Sequence, residues 1–359
     1  NKVRKIFEMS PLMGSMSDAR QGLATADNNR FLRLWFENDF DRIGFGLSNS
    51  DEAKKSGKKW FPYNKGGEFR KWYGNQEFVI NWENDGYDIK SYDKSVIRNP
   101  SYYFLPSVSW SDVTSSTNAF RFYPKGFIHD STGHSVFGLD KFKTAVISLF
   151  CNNNFATEII KILNPTMHFH VGYFNSLPYP DRMIDVDHFD LLIDIARADW
   201  DSYEVSWGFM RNPMVLTNEK NLKVSFEKFE CSKNKLIGKT KNLEEENNRL
   251  FINAYDLQDE ISPDVPEDQI TLARADREKD CQRLISYAIG CMMGRYSLDE
   301  SGLIYAHAGN VGFDTSRDEF LGQFNGWDTP QVIAEGKAHD SVAHGWFPIA
   351  ANRVRLELQ

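Results

Sequence analysis

Cysteine is scarce in this chain. Cys151, Cys231, Cys281 and Cys291 are the four in 359 residues, and no two stand at Cys-x-x-Cys spacing. That excludes a cysteine-built zinc tetrad and argues against a disulfide framework; so few thiols in so long a chain fit a reduced, cytoplasmic setting. Long apolar runs are also missing. Nothing approaches the ~20 residues of a membrane-spanning helix, and no signal-peptide pattern is visible, so no membrane partner is expected.

Positive charge is in deficit, with a formal net of −8. The deficit is uneven. Residues 1–125 carry 19 Lys and Arg against 15 Asp and Glu, whereas the remainder carries 23 against 35. Such asymmetry points to one face for a polyanion and another for solvent or protein. Aromatics make up 14% of the chain and concentrate in its first 200 residues. The chain opens on "NKVRKIFEM", which reads as mid-helix, so an origin within a longer protein is expected.

The pattern along the chain predicts an α+β fold in four parts. Residues 1–20 read as a short helix and a connecting loop. Residues 21–180 read as a β-rich domain, because "EFVINW" (77–82), "AFRFYP" (119–124) and "GFIHD" (126–130) have the content of strands and turn clusters punctuate them. One helix is expected inside it, over 141–163, closed by Asn164-Pro165. Residues 181–258 read as a helical spacer. A helix over 185–197 is followed by one long helix from about 218 to 256, where Leu222, Phe229, Leu236, Leu243, Leu250 and Leu257 fall seven apart. Lys233, Thr240 and Asn247 break the second seam, which favours packing on the chain itself over a coiled coil with a partner. Residues 259–359 read as helical and mixed, with a helix over 276–299 capped by Asp276 and no assigned architecture beyond Ile304.

The most informative stretch is "KKSGKKWFPYNKGGEFRKWYGN" (54–75). Lys54, Lys55, Lys58, Lys59, Lys65, Arg70 and Lys71 supply seven cations against the single acid Glu68, interleaved with large aromatics. Cations neutralise phosphates and release counterions; aromatic planes stack on bases or wedge between steps. Asn64 and Asn75 carry the amide that pairs with adenine edges, and Arg70 the fork that pairs with guanine. The competing reading is a solvated basic hairpin whose aromatics are core. "HDSTGH" (129–134) sets two histidines around a carboxylate, but a metal site needs a third ligand, so it reads as a structural turn. "HFH" (168–170) puts both rings on one face of a strand and reads as core or surface histidine. "NPSYYF" (99–104) is one residue away from the Asn-Pro-Pro-Tyr of amino-methyltransferases. That tetrapeptide must follow a buried apolar strand, and "YDIKSYDKSVIR" is too polar to be one. No glycine-rich loop follows a strand upstream to hold S-adenosylmethionine. No catalytic residue and no metal ligand are assigned.

Several of these stretches together resemble one family. "RQGLATADNNRFLRLWFE", "KKWFPYNKGGEFRKWYGNQEFVINWENDG", "SYYFLPSVSWSDVTS", "YPKGFIHDSTGHSVF", "ILNPTMHFHVGYFNSLPYP", "LEEENNRLFINAYDLQDEISPDVP" and "CMMGRYSLDESGLI" stand in the order found in BREX phage-defence adenine-specific DNA methyltransferases, the PglX family. The resemblance covers about residues 3–305, and its most specific part is the basic-aromatic block followed by "NWENDG". It implies a DNA target-recognition segment that docks duplex DNA and presents an adenine by base flipping to a catalytic domain elsewhere. The implied cofactor, S-adenosylmethionine, belongs to that other domain; other BREX components are implied as partners. The resemblance supports this region; from residue chemistry the seven cations are expected to bind phosphates, and Trp60, Asn64, Trp72, Tyr73 and Asn75 to contact bases or wedge the duplex. Thr25, Asn28, Asn29 and Arg30 would lie at the catalytic junction. Ala26 departs from a usual Gly, so that loop's backbone is expected to differ, and His129 stands where an apolar or aromatic residue is common. The alternative is a protein-interaction module that assembles a defence complex through the heptad helix and the acidic half.

Overall fold

Eight short strands are described: β1 (Asp18–Arg20), β2 (Leu32–Leu34), β3 (Trp60–Asn64), β4 (Phe78–Asn81), β5 (Ser107–Ser111), β6 (Phe120–Tyr123), β7 (Ile128–His129) and β8 (Gly133–Phe137). They belong to a computed structural model that describes residues 2–113, 117–164, 166–180 and 185–304. One sheet has the order β1-β8-β5-β6 and is antiparallel throughout. The other has the order β2-β4-β3-β7, with β7 parallel to β3. The chain is α+β and divides into two units. Asn1–Trp35, Arg42–Trp200 and Leu236–Leu272 make the first; Phe36–Asp41, Asp201–Lys235 and Ala273–Gln359 make the second.

All eight strands lie in the first unit. The expected strands over 77–82, 119–124 and 126–130 are β4, β6 and β7. The others were hidden by their composition. β3 is "WFPYN", buried at every position in the heart of its sheet, although cations flank it in sequence. β1 adds the last three residues of the expected connecting loop to the edge of the first sheet.

Short helices fill the connections: α1 (Lys2–Met9), α2 (Met13–Met16), α3 (Asn28–Phe31), α4 (Ser50–Lys55) and α5 (Glu83–Lys90). α5 explains "NWENDG". Asn84, Asp85 and Gly86 all have positive φ, at 52°, 60° and 71°. Asn, Asp and Gly are the residues that enter the left-handed region at least cost. Gly86 is required for a second reason, because a Cβ there would stand 2.7 Å from the Trp82 ring.

The single helix expected over 141–163 is two, α6 (Lys141–Cys151) and α7 (Asn154–Leu163). Asn152 and Asn153 break it by using their amides elsewhere. The Asn152 side chain donates to the Phe120 carbonyl and accepts from the Phe120 N–H, both at 2.9 Å. Asn153 caps α7 by accepting from the Ala156 N–H at 2.7 Å. α8 (Val171–Asn175), α9 (Asp187–Trp200), α10 (Pro213–Leu216) and α11 (Leu222–Ala254) follow, then α12 (Arg277–Met292), which Asp276 caps as expected.

α11 is the expected long helix, 33 residues and roughly 50 Å at 1.5 Å per residue. Residues 222–235 of it belong to the second unit and the rest to the first. Its apolar positions Phe229, Ile237, Leu243 and Phe251 are buried, and so are Lys233, Thr240, Glu244 and Asn247. The polar second seam is therefore interior. Asn247 donates to the Leu149 carbonyl at 2.9 Å, and Asn248 donates to that of Pro263 at 2.8 Å.

In the first unit the larger core gathers Trp110 and Phe120 from one sheet with Phe150, Phe155, Trp200 and Phe251 from the helices. A smaller one in the other sheet holds Phe31, Phe61, Tyr63, Ile80, Trp82 and Phe104. The second unit is built on Phe209, Tyr287 and Tyr296, and on Met214, Phe229 and Leu284. Beyond residue 304 the expected C-terminal mixed region lies outside the described residues.

His129 sits in the seam between the sheets, its ring edge-on to Phe137 at 4.8 Å and Nδ1 3.1 Å from the Ser135 hydroxyl. Burial lowers its imidazole from 6.5 to about 3. The unfolded chain takes up this proton near pH 6.5 while the native chain does not. The contribution is therefore complete above that pH and is lost as pH falls toward 3. We expect His129→Gln to flatten the acid side of the stability profile by up to ~1.4 kcal/mol per pH unit. Urea unfolding of both proteins between pH 7 and 4 checks this; parallel profiles would contradict it.

Candidate nucleic-acid interface

The block 54–75 starts at the surface and ends in the interior. Lys54 and Lys55 close α4 and are exposed. Lys58 and Lys59 are half-buried on the turn into β3. Lys59 lies 3.8 Å from Glu83 and 5.8 Å over the ring of Trp60, whose other neighbour is Arg33 at the same distance. Arg42 also reaches Glu83, at 4.0 Å, and is half exposed. Arg33 and Arg42 carry no sequence signal of their own. β2 and the loop before α4 bring them to Lys59.

Beyond Trp60 the geometry changes the expected roles. Asn64 is fully buried, donating to the Ser109 hydroxyl at 2.6 Å and accepting from the Gly66 N–H at 3.0 Å. Its amide ties β3 to β5 and does not face outward. Lys65 pairs with Asp130 at 2.9 Å, a carboxylate that also accepts from Tyr63 and from the Thr132 N–H and hydroxyl. Burial, and after it the charge of Asp130, pushes the Tyr63 hydroxyl well above its usual range. Arg70 pairs with the buried Asp199 at 3.3 Å and lies 5.1 Å over the Trp200 ring.

Lys71 and Trp72 both reach Glu244 of α11. The Lys71 ammonium lies 2.7 Å from Oε2, and the Trp72 indole N–H donates to Oε1 at 2.7 Å, with the two charged side chains 9% and 2% exposed. Trp72 also exchanges backbone bonds with Phe120 and Phe122. Tyr73 is buried under Arg197, 4.9 Å from its ring, and Asn75 donates to the Glu68 carbonyl at 2.9 Å from a left-handed backbone. Arg121, 1% exposed, holds the carbonyls of Glu68 and Arg70 at 3.3 and 3.1 Å. Trp60, Asn64, Lys71, Trp72 and Tyr73 are thus structural in this fold. They offer no edge or plane to a duplex.

The loop 20–31 is fastened to the turn between β7 and β8. Leu23 N–H donates to the His129 carbonyl at 2.8 Å, and a Cβ on Gly22 would meet that carbonyl oxygen at 1.8 Å. Thr25 is buried and donates to Asn28 at 2.5 Å; Asp27 caps α3. Asn28, Asn29 and Arg30 are exposed, with Arg30 stacked over Tyr92 at 5.0 Å. Ala26 has φ of 57°, a left-handed conformation that glycine adopts freely and alanine only at a cost.

"NPSYYF" forms a 3₁₀ turn, not the end of a buried strand. Asn99 donates to the Gln21 carbonyl at 2.9 Å, and Tyr102 packs on Phe137 beneath Arg20. A cleft of about 450 Å³ is lined by Asn118, Asn154, Glu158 and Lys161 together with Ile261, Val265 and Pro266, and no glycine is among the described residues that line it.

The adenine-specific methyltransferase PglX of Lacticaseibacillus casei (strain Zhang) is 39% identical over 303 residues, 80% of this chain and 25% of its own length. The adenine-specific methyltransferase BrxX of Escherichia coli O9:H4 (strain HS) is 32% identical over 332 residues, 86% of this chain and 26% of its own length. The chain belongs to the PglX family. It spans about a quarter of the length of these curated relatives. A family model described as "Glycosyl hydrolase 94, supersandwich domain" matches residues 266–359. The described part of that stretch, 266–304, holds a 3₁₀ turn, α12 and loops.

Two outcomes follow for stability. Glu244→Ala strands Lys71 as a buried unpaired charge and should cost ~3–5 kcal/mol in urea unfolding. Lys71→Met combined with Glu244→Gln, which keeps an acceptor for Trp72, should recover most of that loss; equal losses in both proteins would refute the pairing as its cause. Ala26→Gly should raise stability by ~0.5–1 kcal/mol, the reverse of the usual sign for a glycine substitution, because it relieves a positive φ.

Proposed function

We propose that this chain is the DNA-recognition segment of a site-specific adenine-N6 DNA methyltransferase of a BREX phage-defence system. It docks duplex DNA so that an adenine can be flipped into a catalytic domain outside the quarter that the chain represents. The observation that carries the reading is the identity to PglX and BrxX over four-fifths or more of this chain, in relatives named as adenine-specific methyltransferases. S-adenosylmethionine, the usual donor of such enzymes, is assigned to that catalytic domain. No described helix is long and apolar enough to cross a membrane.

The docking surface we assign is narrower than the sequence block. Lys54 and Lys55 contact phosphates, with Lys58, Lys59, Arg33 and Arg42 beside them around the Trp60 edge of the β2-β4-β3-β7 sheet. Asn28, Asn29 and Arg30 form the exposed rim of the junction loop. The interaction-module reading receives less support, since Phe229, Leu243 and Leu257 of the heptad line and Lys233, Thr240 and Asn247 of the second are buried, although Leu222 is exposed.

Lys54→Ala with Lys55→Ala should weaken binding equally for cognate and random duplexes and shrink the log–log salt slope by about two units. Fluorescence anisotropy of the 359-residue chain on both duplexes, at several salt concentrations, reads this directly. An unchanged slope would remove α4 from the DNA interface and make the interaction module the leading reading.

A further inference from the structure

The two histidine motifs that look unrelated in sequence meet at one carboxylate. Asp112 follows β5 directly, His134 lies on β8, and His168 and His170 flank Phe169 in the segment between α7 and α8. His134 Nε2 is 3.3 Å from Asp112 Oδ1, and His170 Nδ1 is 3.0 Å from the same oxygen. His168 Nδ1 is 3.2 Å from the other oxygen, Oδ2. Ligand atoms of Asp112, His134 and His170 all lie within 4.8 Å of one another. His129, the other histidine of "HDSTGH", takes no part.

Rigid surroundings hold these groups. Asp112 donates its N–H to the Thr132 carbonyl and accepts the Phe169 N–H at its own carbonyl, at 2.9 and 2.8 Å. The Trp110 indole N–H donates to the Phe169 carbonyl at 2.7 Å, and Asn164 donates to that of His168 at 2.8 Å. His168 and His170 stack with centroids 5.6 Å apart and planes 17° from parallel. Asp112 is 13% and His134 2% exposed, whereas His170 is 58% exposed, so the cluster opens to solvent on one side. A tetrahedral ion with bonds of about 2.0–2.1 Å sets its donors about 3.3–3.4 Å apart; the two separations from Asp112 Oδ1, 3.3 and 3.0 Å, are close to that.

We propose that Asp112 Oδ1, His134 Nε2 and His170 Nδ1 bind a zinc-type divalent cation, which clamps the 168–170 segment to the β1-β8-β5-β6 sheet. Two imidazoles and a carboxylate suit a borderline ion such as zinc, cobalt or nickel better than magnesium or calcium, which prefer all-oxygen shells. The open side leaves a fourth position to water. His168 acts through Oδ2 as the partner that orients the carboxylate.

The untagged 359-residue chain, stripped with chelator and dialysed against zinc, should retain about one equivalent by elemental analysis. Cobalt should give the intense visible bands of a tetrahedral site, and added zinc should raise Tm. His170→Gln, at an exposed position, should abolish all three responses with its circular dichroism unchanged. His168→Gln should retain the ion with affinity ~10–100-fold weaker, as expected of an orienting partner. Substoichiometric zinc in the parent chain, or zinc binding and stabilisation undiminished in His170→Gln, would overturn the proposal. Should His170→Gln not fold, the cobalt spectrum and zinc stoichiometry of the parent chain decide the matter alone.

Discussion

Glu244 is the residue on which the first unit turns. A carboxylate 2% exposed needs compensation, and it receives the Lys71 ammonium on one oxygen and the Trp72 indole on the other. Those two residues lie at the end of the basic-aromatic block, and Trp72 is itself laced to β6 by two backbone bonds. One buried charge therefore ties the 37-residue stretch 236–272 to the Lys71–Trp72 segment, 172 positions earlier at Trp72, and through Trp72 to β6. Arg70 with Asp199 and Lys65 with Asp130 repeat the arrangement on α9 and on the β7–β8 turn.

These pairs give the charge asymmetry of the sequence a second meaning. The excess of cations early in the chain and of acids later is partly an internal complementarity, spent inside the fold. Only the leading part of the block, Lys54 and Lys55 above all, keeps its charge in solvent. A stretch that composition presents as a single DNA-binding surface is thus divided between an outer, solvent-facing end and an inner, structural end. The division falls at Trp60, where β3 begins.

Polar residues do comparable work elsewhere. Asn64 joins the two sheets, Asn152 and Asn153 turn one helical pattern into two helices, and Asn247 and Asn248 fasten α11. Each has an amide that can donate and accept at once, so each satisfies backbone groups that would otherwise be buried without partners. Asn84, Asp85 and Gly86 serve the backbone instead, by tolerating a left-handed turn. Conversions of such residues to apolar ones of similar size would preserve hydrophobic volume and still lose the fold's registration.

Local rules determined much from the sequence alone. Heptad leucines announced α11, Asp276 announced the start of α12, and aromatic and β-branched runs announced β4, β6 and β7, because periodicity, capping and strand preference act within a few residues. The likeness to PglX rested on ordered motifs and needed no structure. What the sequence could not determine was direction: which side of a residue faces the interior. Seven cations look alike in one dimension, and only the pairing of β3 with β4, and of Lys71 with a glutamate on a distant helix, separates the exposed from the buried. The gathering of Asp112, His134, His168 and His170 was equally invisible, since no spacing rule connects three segments that meet only when the sheet closes and α7 turns back upon it. Contacts between remote segments are decided by tertiary packing, and burial, charge pairing and ligand geometry are all properties of those contacts.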